Sequence, residues 1–235
     1  MGKATLRGLW AMCVYTILAA GTAHAASSDV VLYATDAVTT GNWTRVADSS
    51  GAAGQALASP DNGWSTNSAI AAPANYVEFS FDAASATPYH VWVRMRASGD
   101  SKFSDSLFAQ FSDAISSTGA ALYSIGSSNA LTLNLQTSNG SKLHGWGWVD
   151  DAFWLSQAST ISFSATGTHK LRLQAREDGV QVDQIVLSPA TYLSVSPGQR
   201  SGDSTIVAKP ATAPPPAART PYSGTAIVLP GTVQA

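Results

Sequence analysis

Apolar residues in this chain recur at every second position, in run after run separated by short polar turns. In Tyr76-Val77-Glu78-Phe79-Ser80-Phe81, the residues Val77, Phe79 and Phe81 share one face. From Tyr89 to Arg96, the series Tyr89, Val91, Val93, Met95 alternates with His90, Trp92, Arg94, Arg96. Leu107, Ala109 and Phe111 continue the pattern, as do Ile161 with Phe163, Leu171 with Leu173, and Val180, Val182, Ile185 and Leu187. A strand turns successive side chains to opposite faces, so this period marks half-buried β-strands. Helical periodicity is hard to find. Turn clusters such as Ser59-Pro60-Asp61-Asn62-Gly63, Ser98-Gly99-Asp100-Ser101 and Ser138-Asn139-Gly140-Ser141 punctuate the runs. Many short strands without crossover helices predict an all-β fold, a β-sandwich (jelly roll) of two antiparallel sheets. Trp92 and Phe108 fall on the nominally polar faces of their strands. They mark either a second contact surface or, as the preferred explanation, large loops folded over that face.

The ends of the chain differ in composition from its middle. Lys3 and Arg7, the apolar stretch Leu9–Ala20 and the small-x-small triplet Ala23-His24-Ala25 form a signal peptide over residues 1–25, cleaved before Ala26. The apolar run is shorter than the ~20 residues that span a bilayer. Cys13, the single cysteine, lies within that run, so the mature chain has no thiol or disulfide. A secreted, extracellular protein is expected. Removing Lys3 and Arg7 leaves 13 − 2 = 11 basic against 15 acidic side chains, a formal charge of −4. With no basic patch, nucleic acid and, after cleavage, membrane are excluded as expected partners. One β-domain is expected over residues 28–193. A Pro/Ala-rich stretch over 194–225, with Pro214-Pro215-Pro216, reads as extended linker. Ile227-Val228-Leu229 turns apolar again, so residues 226–235 read as the start of a truncated second module, with further modules expected in the same polypeptide.

Aromatic rings in a glycine setting suggest the chemistry. Gly145-Trp146-Gly147-Trp148 is a poor core sequence, because glycine neither packs nor stiffens the backbone. It suits a loop that holds flat rings open, and a tryptophan face accepts the C–H hydrogens of a sugar on its π-cloud. A polysaccharide or other glycan is therefore the expected partner.

The chain resembles the family 6 and family 35 carbohydrate-binding modules, galactose-binding-like jelly rolls appended to polysaccharide-degrading enzymes. The resemblance rests on Tyr89-His90-Val91-Trp92-Val93-Arg94, the Trp146/Trp148 loop, the turn Gly167-Thr168-His169 and the final-strand Val182-Asp183-Gln184-Ile185. It implies a loop-edge cleft in which an aromatic side chain meets the glycan. Trp146 is the best match for that platform and Trp148 the next, although either could pack inside. Trp154 and Phe153 are open to both readings. Asp150, with Asp151, could accept hydrogen bonds from sugar hydroxyls. Phe103 and Asp105, with Asp100 and Lys102, form a second polar-aromatic loop that could close the cleft. Trp64 and Trp43 are further loop-edge rings. The resemblance also implies a structural Ca²⁺, with Asp183 matching the last-strand ligand and Asp36 nearest to the first-strand position. The first strand departs from the family at Tyr33-Ala34-Thr35, and calcium wants six to eight oxygens. A salt bridge from Asp183 to Arg176 or Arg172 is the equal alternative.

A glycosidase needs two carboxylates across one cleft. Asp150, Asp151, Glu177 and Asp178 could supply them in principle, but no G-x-S-x-G or H-E-x-x-H motif accompanies them, and His90, His144 and His169 are scattered. A non-catalytic binding module is the expectation, with an adhesive β-domain or a catalytic domain as alternatives.

Overall fold

The computed structural model describes residues 22–24 and 28–210. Its strands, in chain order, are β1 (Thr22–His24), β2 (Val30–Tyr33), β3 (Val38–Thr40), β4 (Thr44–Ala47), β5 (Gln55–Ala58), β6 (Tyr76–Ala83), β7 (Tyr89–Ala97) and β8 (Ser106–Phe111). They continue with β9 (Ala114–Ile115), β10 (Leu131–Asn134), β11 (Gly147–Val149), β12 (Thr160–Phe163), β13 (Gly167–Ala175), β14 (Val180–Ser188) and β15 (Ile206–Ala208). Two antiparallel sheets face each other. One has the order β10-β8-β13-β6-β3. The other runs β4-β5-β14-β7-β12-β9, with β11 also on β7 and β2 also on β14. The expected all-β sandwich is the fold observed.

The core lies between the sheets, on the faces that the alternation singles out. Val77, Phe79 and Phe81 of β6, Val91, Val93 and Met95 of β7, Leu171 and Leu173 of β13, and Val180, Val182, Ile185 and Leu187 of β14 meet in one cluster. β7 pairs with β14 from Ala97 opposite Val180 to His90 opposite Ser188, and a bulge between Val182 and Gln184 sets Asp183 out of register. An extra residue at a bulge re-aims a side chain, here the one acid in the interior of that strand.

The outer faces of both sheets are covered, which accounts for Trp92 and Phe108. Over the smaller sheet lies the loop 59–75, whose Ala69 packs with Phe108 and Ala130. Gln174 of β13 clamps this loop, accepting from the Ile70 amide at 2.9 Å and donating to the Ile70 carbonyl at 3.0 Å. Over the larger sheet lies the segment 189–210. Its Tyr192 and Val207 join Val31, Trp92, Trp148 and Val186 in a second apolar cluster.

That cover corrects the expected domain boundary. Residues 194–210 are not linker but a strap docked on the sandwich. The Gln184 amide donates to the Val207 carbonyl at 2.5 Å and accepts from the Val207 amide at 3.1 Å. Tyr33 donates to the same carbonyl at 3.0 Å, and Lys209 reaches Asp36 at 2.7 Å. Composition alone misleads here, because Val207, together with backbone bonds from the Trp148 amide to the Gln199 carbonyl and from the Asp203 amide to the Trp146 carbonyl, suffices to dock the segment. β15 within the strap pairs in parallel with β1. The remainder of the expected signal peptide, residues 211–225 of the expected linker and the expected second-module start at 226–235 lie outside the described residues.

Candidate functional site

The two tryptophans of the Gly-Trp-Gly-Trp segment face inward. Trp148, on β11, is 1% exposed within the strap cluster, and its Nε1 donates to the Thr205 carbonyl at 3.2 Å. Trp146 is 5% exposed and donates to Ser50 Oγ at 2.9 Å. The guanidinium carbons of Arg94 and Arg96 lie 4.9 and 4.5 Å from its ring centroid, so cations already occupy the π-system. Neither ring is a platform open to a ligand, contrary to the expectation. The glycines have another purpose. A Cβ at Gly147 would collide with the Arg200 carbonyl of the strap. Gly145 adopts φ +57°, a left-handed turn that glycine tolerates best.

Asp150 is likewise committed to internal contacts rather than to a cleft. His90 Nε2 is 2.9 Å from its carboxylate, Arg200 donates at 3.2 Å and Ser159 at 3.4 Å. Burial raises its pKa, but the hydrogen bond and charge of His90, with Arg200, outweigh burial and hold it below the usual carboxylate value. Arg200 also bonds Asp151. The Asp150–Asp151 pair is thus an anchor for the strap.

Asp183 and Asp36 each meet a cation of the chain itself. Asp183 is fully buried at its bulge, where it accepts from Arg94 Nη1 at 2.5 Å and from the Ala52 amide at 2.7 Å. Burial pushes its pKa up to about 6, against the pull of Arg94. The salt-bridge alternative therefore describes this acid, with Arg94 as partner in place of Arg172, which bonds Glu78, or Arg176, which bonds Glu177. Asp36 accepts from Lys209 Nζ and from the Tyr33 amide, each at 2.7 Å. Each acid already has its own cation. Among the described residues, no three His, Cys, Asp or Glu side chains are grouped to hold a metal ion.

The rings that remain open are Trp64, Phe103, Phe153 and Trp154, at 45%, 70%, 37% and 43% exposure. Trp154 meets Phe153 edge to face at 4.8 Å and carries the Arg176 guanidinium 5.1 Å from its centroid. Trp64 borders a cleft of about 500 Å³, lined also by Asn42, Trp43, Asn62, Ile70, Asn75 and Asp178. The cleft forms where the β3–β4 turn, the loop 59–75 and the end of β13 converge. Its geometry is set by Asp178, which is buried and accepts from the Asn62 and Trp64 amides, both at 2.8 Å. The Asp178 amide donates in return to the Trp64 carbonyl at 2.9 Å. Three bonds thus fix the backbone that carries the indole, while the ring itself stays half open. Asn75 Oδ1 accepts from the Asn42 amide at 3.0 Å, leaving its NH₂ able to donate.

Beside Trp64, a smaller hollow of about 360 Å³ is lined by Gly63, Trp64, Ser65, Phe103 and Glu177. Asp105 lies behind it. Fully buried, it cannot contact a ligand as expected from its loop; Asn134 donates to its Oδ1 at 2.5 Å. Glu177 accepts from Ser106 Oγ and from Arg176, each at 2.7 Å. Burial, together with the hydrogen bond and charge of Glu177, pushes the Asp105 carboxyl up to about 8.

The structure therefore gathers Trp43, Trp64, Phe103, Glu177 and Asp178 at one edge, with Asp105 buried behind, and commits Trp146, Trp148, Asp150, Asp183 and Asp36 to contacts elsewhere. The turn Asp61-Asn62-Gly63 before Trp64 is the visible sequence signal. Nothing in the sequence marks Ile70, Asn75 or the anchoring role of Asp178.

A jelly-roll sandwich with a cleft at its loop edge resembles the carbohydrate-binding modules as a class. Residues 27–197 match the family described as the glycosyl hydrolase family 115 C-terminal domain, and the chain belongs to that family. Among solved structures, it is similar to the C-terminal family 6 module of the laminarinase LamC from Zobellia galactanivorans, at 12% identity and a TM-score of 0.40, covering 68% of this chain and 98% of that one. A native family 35 module from Clostridium thermocellum matches at 15% identity and a TM-score of 0.41, covering 68% and 97%. The Podospora anserina β-(1,4)-mannanase with a family 35 module matches at 14% and 0.44, covering 71% of this chain but 28% of that one. No curated protein matches.

Proposed function

We propose that this chain is a secreted, non-catalytic module that binds a polysaccharide, with Trp64 as the stacking ring. The observation that carries this is the indole held half open by the Asp178 clamp, over a cleft lined by amide side chains. An apolar wall with a few convergent polar groups is the usual composition of a small-ligand site. Asn42, Asn62 and Asn75 supply both donors and acceptors, matching a ligand dense in hydroxyls. The carboxylates support binding over hydrolysis. Asp150 and Asp151 hold Arg200, Asp178 is spent on backbone amides, and Asp105 is sealed behind Glu177.

Retention of the protein on immobilised xylan, laminarin, mannan and galactan, beside Trp64→Ala, tests the proposal. We expect retention on at least one polysaccharide, lost in Trp64→Ala, whose melting temperature stays close to the parent's. Undiminished retention of that variant would refute the assignment of Trp64, and no retention of the parent on any glycan would favour an adhesive or spacer role.

A further inference from the structure

Trp64 borders two hollows rather than one. The cleft of about 500 Å³ and the hollow of about 360 Å³ share its indole, and Phe103 stands beyond the second. A site built for a single terminal sugar needs one hollow and one ring. A ring shared by adjacent hollows, with a second exposed ring farther along, instead suits a chain with several units laid across the edge.

We propose that the hollow between Trp64 and Phe103, based on Glu177, is a second subsite, and that the ligand is the interior of a linear, uncharged polysaccharide. This rests on the assignment of Trp64 above. Three features carry it. Phe103 is the most exposed large apolar side chain among the described residues, and Lys102 Nζ, 5.0 Å from its ring centroid, covers one face only. Glu177 already accepts from Ser106 and Arg176, yet each carboxylate oxygen retains a lone pair that a sugar hydroxyl can fill. Each hollow is lined by a carboxylate, Asp178 in one and Glu177 in the other, and neither is lined by a lysine or arginine. An anionic chain such as a polyuronate would meet a carboxylate at each subsite and no lining cation, whereas a neutral chain would meet amides, acceptors and rings. The nearest cations lie outside both linings: Arg176 is paired with Glu177, and Lys102 stands over the ring of Phe103.

The experiment is a titration series on the intact protein. Oligosaccharides of increasing length, prepared from whichever of xylan, laminarin, mannan or galactan retains the parent, are titrated into the parent, Phe103→Ala, Glu177→Gln and Trp64→Ala, with polygalacturonate as the anionic comparison. Affinity of the parent should rise as the chain grows long enough to cross Trp64. Phe103→Ala should lose roughly tenfold for the longest oligomer, the equivalent of one stacking contact, and little for the disaccharide. Glu177→Gln keeps an acceptor and should fold normally, with an intermediate loss for long oligomers. Polygalacturonate should not bind. An affinity independent of length, an equal loss for short and long oligomers in Phe103→Ala, or tight binding of polygalacturonate would overturn the second subsite. In those cases the cleft assignment survives as long as Trp64→Ala still abolishes binding. Unimpaired binding by Trp64→Ala would instead overturn both.

Discussion

Replacing Asp105 by Asn should remove an alkaline weakness from this fold. The Asp105 carboxyl is fully buried, and burial together with Glu177 raises it from 3.8 to about 8. Because the folded value lies above the unfolded one, the stability tied to this proton is complete below the unfolded value and drains as pH rises towards the folded one. Over the full range the difference corresponds to a ceiling of roughly 6 kcal/mol at about 1.4 kcal/mol per pH unit. The useful quantity is the part lost near neutrality. Integrating a single site that titrates near 8 from about pH 6.5 to about pH 8.5 gives a loss of about 2 kcal/mol. For a domain of this size that is roughly 4–8 °C in Tm. Asp183, pushed up to about 6, has released most of its proton before this window opens. Asp48, Asp113 and Asp150 are all held below the ordinary carboxylate value and act only in acid. An Asn at 105 can still accept from Asn134 and carries no charge into the buried site. Thermal denaturation of parent and Asp105→Asn across this window should therefore give a falling line and a nearly flat one, crossing or converging at the acid end. Parallel lines would refute the raised carboxyl of Asp105.

The strap makes a second claim on stability. Trp148→Ala opens a cavity beneath Val207 and removes the bond to Thr205, and should cost about 3–5 kcal/mol in denaturant unfolding, whereas Trp64→Ala should cost far less. Gly147→Ala, which meets the Arg200 carbonyl, should release the strap; limited proteolysis should then cut within 196–210, a segment that resists cleavage in the parent. Arg94→Met should destabilise by about 3–5 kcal/mol because it strands the buried Asp183, while a chelator should leave the Tm of the parent unchanged; a clear fall in chelator would restore an ion to this site. The exported protein should begin at Ala26 by intact mass, and a mature species retaining Cys13 would contradict the proposed leader.

Sequence alone determined the sandwich. The two-residue period in β6, β7, β13 and β14 names the core face directly, because a strand's geometry converts sequence parity into side-chain direction without reference to anything distant. It also exposed an anomaly, since Trp92 and Phe108 on the outward parity require cover. What supplies that cover was not legible. Of the residues that seal Trp92, Tyr192 stands 100 positions downstream at the end of the expected domain, and Val207 lies in a segment whose composition suggests linker. The site suffered in the same way. Gly-Trp-Gly-Trp reads as an open loop until the strap is seen lying on Gly147 and two arginines on Trp146. Asp183 reads equally as ligand or ion pair until the β14 bulge aims it at Arg94. The exposure of a ring and the partner of a buried charge depend on which distant segments come to lie beside them, and only the packed chain decides that.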